Sequence, residues 1–292
     1  MRKAPLPELA LFGMTAAWGL SFVVVPWTLD RSAVMTSIAL RTGIGLAFLL
    51  MLRPAAFRAT ALEWRAGVLG GLLLAGGYVY QTAGLVESAP GKSAVITAFY
   101  VALVPAFEAL VYRRLPLRRD LAALAVATAG IAVIVIRDDL SMSLAEGLVA
   151  VAAFCWAAHI VVVGRVAERV DPIRLAAIQM LVLVVVGVTG AVWSHDPPVR
   201  WSGGFVAEML FLGVVTNALG FLTQAWGQKH VPPTRTAVLF SGEPVFAAFF
   251  GFWLANEHFG GRDAAGAALV LCAVAMTVWM PRRVVAPAEA VR

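Results

Sequence analysis

Arg41, His159 and Glu243 lie inside long apolar runs of the chain. An ionisable group in such surroundings is costly, so it usually faces a bundle interior or a wet cavity. Arg41 carries a planar fork of donors that matches a carboxylate with two parallel hydrogen bonds. It could also bond exposed backbone carbonyls or snorkel its charge toward an interface. Glu243 precedes Pro244, whose ring removes a helix hydrogen bond and frees a carbonyl. A carboxylate there could take up a proton, bind an amine or pair with a basic residue. His159 follows Trp156 by three residues and shares its helix face. Imidazole titrates near neutrality, which suits proton handling, and a hydrogen-bonded packing histidine is the competing account. Glu108 falls near the end of its apolar run, where interface solvation or pairing with Arg113 is expected.

Aromatic and amide side chains recur along the same runs. Trp18 and Phe22 are four apart and share a face, and Tyr78, Gln81 and Thr82 form one stripe. Tyr80, Phe99 and Trp226 also fall along these runs, as does Gln224, while Trp18, Tyr78, Tyr100 and Trp156 are more interior. Core packing and cavity lining are both open for these residues. The candidate substrate-binding set is Trp18, Phe22, Arg41, Tyr78, Gln81, Tyr100, Trp156, His159 and Gln224, with Glu243 as a candidate coupling residue. Trp64, Trp193, Trp201 and Trp279 stand at run ends, where an interfacial aromatic belt is expected.

The elements that must carry these residues follow from composition. Of 292 residues, 61% are hydrophobic and 14% charged, against roughly a quarter charged in soluble domains. So few charges cannot cover a water-facing surface, and lipid is the expected solvent. A spanning helix needs about 20 mostly apolar residues. Ten candidate runs lie near 6–28, 34–52, 66–86, 93–112, 120–136, 144–164, 173–193, 203–227, 236–255 and 263–281. Arg2 and Lys3 before the first run resemble a secretory signal, but the run is too long for one and lacks a small-x-small cleavage site. Cys155 and Cys272 sit inside runs and are expected to be small buried apolar residues. Gly67, Gly71 and Ala75, and likewise Ala123 and Ala127, are spaced by four, which allows close helix packing in lipid. Pro26, Pro105 and Pro244 are expected kinks.

Lys and Arg collect in inside-facing loops. With the N-terminus inside, seventeen of the 23 basic residues fall inside, five fall outside, and Arg41 lies within a helix. Both termini are therefore expected in the cytoplasm, with an even number of spans. The net charge of +6 is a topology signal; no soluble domain carries a basic face for nucleic acid.

A repeat at an offset of 143 pairs Gln81 with Gln224, Gly84 with Gly227, Pro90 with Pro233, Ala94-Val95 with Ala237-Val238 and Asp120 with Asp263. An offset of 138 pairs Trp18 with Trp156 and sets Arg41 opposite Gln179. Each half then has five helices, and an odd number turns the second half upside down. Inverted repeats characterise secondary transporters, with the substrate site near the midplane where the halves meet. The predicted fold is an all-α membrane protein of ten transmembrane helices in two inverted five-helix repeats. Residues 1–140 form the first repeat, 141–285 the second, and 286–292 a cytoplasmic tail.

The motifs Ala17-Trp18-Gly19-Leu20-Ser21-Phe22, Leu40-Arg41, Ala83-Gly84-Leu85, Ser88-Ala89-Pro90, Val104-Pro105 and Glu243-Pro244-Val245 occur in that order along nearly the whole chain. In this the sequence resembles the drug/metabolite transporter superfamily, specifically its ten-helix EamA branch. The chain departs from that branch where a Gly-Glu pair commonly ends the fourth and ninth helices: it has Arg113-Arg114 and Asn256-Glu257. The resemblance implies a multi-pass transporter in a bacterial inner membrane that exports amino acids or related metabolites by alternating access. Within the branch, the aromatic amino acid exporters are the nearest likeness. The expected partners are a small-molecule substrate and the bilayer, with no nucleic acid; no cofactor or metal is expected. No Walker loop or zinc-protease helix motif occurs, which argues against an ATP-driven pump or a metalloprotease. Two other classes are a membrane enzyme using His159 with a carboxylate and a non-transporting receptor or assembly subunit.

Overall fold

The long apolar runs leave their backbone groups no partner but themselves, and helices are the result. A computed structural model describes residues 5–279 except 89, 114, 136–142, 257 and 259, and every regular element among them is helical. The helices are α1 (Leu6–Leu29), α2 (Val34–Leu52), α3 (Ala61–Gly84), α4 (Pro90–Thr97), α5 (Tyr100–Tyr112), α6 (Arg118–Val135) and α7 (Leu144–Val166). There follow α8 (Pro172–Trp193), α9 (Gly203–Leu210), a π-helical stretch at Phe211–Leu219, α10 (Gly220–Gly227), α11 (Pro233–Phe240), α12 (Gly242–Leu254) and α13 (Gly261–Trp279). Their starts are written in side chains. Thr60 with Glu63 and Ser143 with Glu146 form reciprocal capping boxes, and the Asp171 carboxylate accepts from the amides of Ile173 and Arg174. Arg2, Lys3, Arg114, Arg137, Glu257, Arg282, Arg283 and Arg292, together with Ala89 and the proposed tail, lie outside the described residues.

Among the described residues, six helical segments are long and apolar enough to cross a membrane: Leu6–Leu29, Val34–Leu52, Leu144–Arg169, Pro172–Trp193, Gly203–Gly227 and Pro233–Leu254. Tyr100–Tyr112 and Ala264–Trp279 are shorter apolar helices. α3 has 24 residues, six of them glycine, which dilutes its hydropathy.

The structure departs from the ten uninterrupted runs at three places. The fourth run breaks between α4 and α5 at Ala98-Phe99, and the ninth between α11 and α12 at Ser241. Each break lies shortly before a proline, Pro105 or Pro244. In the ninth run the proline acts at the break itself, because Pro244 cannot donate to the Phe240 carbonyl four residues earlier and its ring crowds that carbonyl. The eighth run keeps its length but widens into the π-helical stretch. Such widened turns are rare and frequent at functional sites.

Small residues let the helices approach. Gly67 faces Ile178 and Gly71 faces Val182, so the predicted small-residue stripe of α3 seats α8. Ala123 and Ala127 are fully buried. α1 packs on α12, α2 on α8, α3 on α7 and α8, and α6 on α13. Polar ties close the ends. Arg53 pairs with Asp171 at 2.7 Å, Arg174 with Glu63 at 3.3 Å, and Arg31 with Glu208 at 3.3 Å. Asp196 accepts from the Thr36 amide and hydroxyl and from Ser194. Burial alone would raise this carboxyl, but those hydrogen bonds outweigh it and hold Asp196 below the usual carboxylate range.

Three expectations change. Glu108 accepts from the Thr234 amide at 2.9 Å and from its hydroxyl, so it caps the start of α11. Cys155 is half-buried and Cys272 is exposed, so only the first meets the expectation of burial, and only in part. Tyr80 and Phe99 are exposed and point away from the core.

One glycine carries a direct test of the packing. A Cβ on Gly187 would come within 2.7 Å of the Ala39 amide nitrogen, which is rigid helix backbone. Gly187→Leu is expected to force α8 off α2 at about 1–3 kcal/mol. The thermal unfolding midpoint of the detergent-purified protein should drop by several degrees; an unchanged midpoint contradicts this contact.

Candidate functional site

The broken helices, the π-helical stretch and the aromatic faces of α1, α3 and α7 meet around one cavity. It encloses about 690 Å³ including its mouth. All ten residues singled out in the sequence line it: Trp18, Phe22, Arg41, Tyr78, Gln81, Tyr100, Trp156, His159, Gln224 and Glu243. Ser21, Val25, Thr82, Leu85, Thr97, Ile160, Thr216, Phe221 and Phe240 complete the wall. Several of these could have been found from the repeat. An offset of 143 links Tyr78 with Phe221, Gln81 with Gln224, Thr97 with Phe240 and Tyr100 with Glu243. An offset of 138 links Trp18 with Trp156, Ser21 with His159 and Phe22 with Ile160.

Arg41 is 5% exposed. One guanidinium nitrogen donates to the Thr82 hydroxyl at 2.7 Å, and the group lies over the Tyr78 ring at 4.4 Å. Its Nε has no hydrogen-bond partner. A cation on an aromatic face gains roughly 0.5–2 kcal/mol, far less than the several kcal/mol of effective desolvation for a buried ion. Glu243 lies in the first turn of α12 and lines the same cavity, and its side chain is met by the Tyr100 hydroxyl at 3.4 Å. Among the described residues neither Arg41 nor Glu243 joins an ion pair.

Tyr100 has a second, closer partner, the Phe240 carbonyl at 3.1 Å. Phe240 is four residues before Pro244, so the break in the ninth run frees this carbonyl and the tyrosine takes it. One hydroxyl proton serves one acceptor at a time.

His159 is buried with both ring nitrogens engaged. Nε2 is 3.2 Å from Gln179 Nε2, and Nδ1 is 3.4 Å from Gln224 Nε2. Gln224 also donates to Gln228, which donates to the Ile160 carbonyl, so the Gln224 amide has one orientation and His159 Nδ1 accepts. In neutral imidazole the other nitrogen then carries the proton, and it is donated to Gln179 when that amide is turned over from the orientation that sets its Nε2 at 3.2 Å. This arrangement holds a ring in place and leaves neither nitrogen over for a nucleophile.

The remaining wall is aromatic. Trp156 and Phe221 stack at 6.4 Å with 8° between planes, and Trp18 meets Phe240 edge-on at 4.9 Å. Trp18 donates its indole N–H to the Thr216 carbonyl at 2.9 Å. The Trp156 indole nitrogen is buried without a partner. Among the described residues no cluster of three or more His, Cys, Asp or Glu could hold a metal. A cavity with one cation, one carboxyl and flat apolar walls can hold a small molecule that carries both charges.

Removing the Tyr100 hydroxyl leaves the Phe240 carbonyl unserved. Tyr100→Phe is expected to destabilise the protein by about 1–3 kcal/mol. Adding Pro244→Ala restores a backbone N–H within reach of that carbonyl, and the unfolding midpoint should recover part of the loss. Equal midpoints for the single and double variants contradict this role of Tyr100.

The sequence profile of the EamA-like transporter family matches residues 6–136 and again 143–279. A protein of Archaeoglobus fulgidus described as an uncharacterised transporter is 24% identical over 267 residues, covering 91% of this chain and 84% of that protein. The uncharacterised transporter YoaV of Bacillus subtilis is 24% identical over 142 residues, 48% of this chain and 49% of its own length. A solved crystal structure superposes with a TM-score of 0.76 at 18% identity, over 94% of this chain and 96% of that one, which shows a shared fold.

Proposed function

The chain belongs to the EamA-like transporter family, and we propose that it is a secondary transporter exporting amino acids, aromatic or neutral, by alternating access around the cavity. A membrane transporter is what the family and the relatives' descriptions support; the substrate is our inference. One observation carries it. A buried guanidinium and a carboxyl face the same aromatic-walled cavity, and neither is salt-bridged among the described residues. Free amino acids supply the missing charges at the right ends: a carboxylate for Arg41, by two parallel hydrogen bonds, and an ammonium for Glu243. The side chain then lies against Trp18, Trp156, Phe221 and Phe240. Such a ligand also offsets the desolvation cost of the buried guanidinium.

Ten spans in two inverted repeats, 1–140 and 141–285, with both termini and the 286–292 tail in the cytoplasm, complete the proposed architecture in a bacterial inner membrane. Support comes from the family profile matching twice in succession and from the paired cavity residues. The charge bias of the loops supports the orientation. Two similar halves that exchange conformations give inward-open and outward-open states around one site. The direction of transport follows the resemblance to exporters. A membrane enzyme using His159 is disfavoured, because both nitrogens of that ring are engaged by glutamines.

Reconstitution in proteoliposomes tests this proposal. Counterflow of a labelled neutral or aromatic amino acid, recovered chemically unchanged, is the expected result. No flux across a panel of amino acids and related metabolites would sink the reading. Arg41→Lys keeps the charge but loses the fork, and the half-saturating concentration should rise about tenfold or more; full flux at unaltered half-saturation makes Arg41 a mere counter-charge. If Glu243 carries a coupled proton, Glu243→Gln should abolish the dependence of flux on a pH gradient while counterflow persists. Unaltered gradient dependence removes Glu243 from that role.

A further inference from the structure

Asn217 is fully buried, belongs to no motif in the sequence and lies in the middle of the π-helical stretch. Its side-chain oxygen accepts the Tyr78 hydroxyl. The ring of Tyr78 is the surface on which the Arg41 guanidinium lies, at 4.4 Å. The same stretch meets α2 directly at that point: a Cβ on Gly213 would stand 2.8 Å from the Arg41 carbonyl oxygen. Thr216, one residue before Asn217, holds Trp18 through its carbonyl at 2.9 Å. Three walls of the cavity therefore take their position from two adjacent residues of one widened turn and the glycine before them.

The two halves differ at this point. By the offset of 143, Tyr78 corresponds to Phe221 and Asn217 to Leu74. Those equivalents share an apolar cluster and have no polar side-chain atom. Arg41, by the offset of 138, corresponds to uncharged Gln179. The Tyr78–Asn217 pair, one residue from each half, thus stands where the equivalent pair is Phe221–Leu74, and the Arg41 cation stands where the second half has the Gln179 amide. Packing does not require the polar set, because the apolar set fills the equivalent place. Nor does Asn217 satisfy itself, since its side-chain nitrogen is buried without a hydrogen-bond partner among the described residues.

We infer that Asn217 is a positioning residue that, through the Tyr78 hydroxyl, fixes the face on which Arg41 lies and so sets the carboxylate-recognising end of the cavity. This rests on the proposed pairing of Arg41 with a substrate carboxylate. Without the hydrogen bond the Tyr78 ring can turn about its side-chain torsions, and the guanidinium fork loses its aim. Recognition of a carboxylate suffers, and recognition of an amine does not.

The test uses the full chain in proteoliposomes with labelled L-phenylalanine at trace concentration. Unlabelled L-phenylalanine and 2-phenylethylamine, the same molecule without its carboxylate, serve as competitors. Should L-phenylalanine not be carried, the carried amino acid from the panel and its decarboxylated amine replace them. Tyr78→Phe and Asn217→Leu are each expected to raise the half-inhibiting concentration of the amino acid about three- to tenfold. The amine should stay within about twofold, and the double variant should be no worse than either single. The unfolding midpoint of the Tyr78→Phe/Asn217→Leu double variant should stay near wild type, because both partners of the bond and the orphaned N–H are removed together; a purely structural pair would lower the midpoint and affect both competitors alike. If Arg41→Gln weakens the amino acid while Tyr78→Phe and Asn217→Leu do not, Asn217 has no positioning role and the carboxylate reading stands. If Arg41→Gln leaves the amino acid-to-amine ratio unchanged, or no amino acid is carried, the carboxylate reading fails and this inference fails with it.

Discussion

A guanidinium buried in an apolar bundle, with no counter-ion among the described residues, is the constraint around which this protein is arranged. Arg41 cannot shed its charge, and its α2 position is seven residues inside the helix, among apolar neighbours. The cost is met in pieces: one hydrogen bond to Thr82, the face of Tyr78, and a cavity beside it. None of these neutralises it. Glu243 lies on the same cavity and is reached by a tyrosine hydroxyl. A guanidinium and a carboxyl that line one cavity and, among the described residues, form no ion pair remain available to a ligand. Had they paired directly, the site would be closed and the cavity apolar.

The backbone irregularities serve the same arrangement. The break before Pro244 frees the Phe240 carbonyl for Tyr100 and brings Glu243 to the start of a helix facing the cavity. The widened turn at Phe211–Leu219 presents the Thr216 carbonyl and the Asn217 amide sideways, to Trp18 and Tyr78. Regular helices would have used those carbonyls internally. The irregular backbone is thus found where polar groups line a cavity, which is where an apolar surrounding tolerates it.

Much of this was legible in the sequence. Ionisable, aromatic and amide residues inside apolar runs are costly or bulky enough to stand out, and all ten of the candidate set line the cavity, while Tyr80 and Phe99 do not. The repeat offsets reach further than expected: applied to Tyr78 and Thr97 they lead to Phe221 and Phe240. What was not legible has physical causes. Apolar runs carry almost no periodic contrast when lipid covers one face and protein the other, so the interruptions at Ala98-Phe99 and Ser241 left no mark beyond the prolines downstream. A π turn and an α turn have the same composition, so Asn217 looked like one polar residue in a long run. Partner choice among surface carboxylates was also hidden. Glu108 faces Arg113 in sequence but accepts from Thr234, brought to it only by the fold.

An experimental structure with a bound amino acid tests the central claim most directly. The account predicts the ligand carboxylate within hydrogen-bonding distance of both terminal guanidinium nitrogens of Arg41, its ammonium turned toward Glu243, and its side chain against the Trp156–Phe221 stack. A ligand whose carboxylate lies away from Arg41, or a ligand-free structure in which Arg41 and Glu243 are salt-bridged to each other, would contradict it.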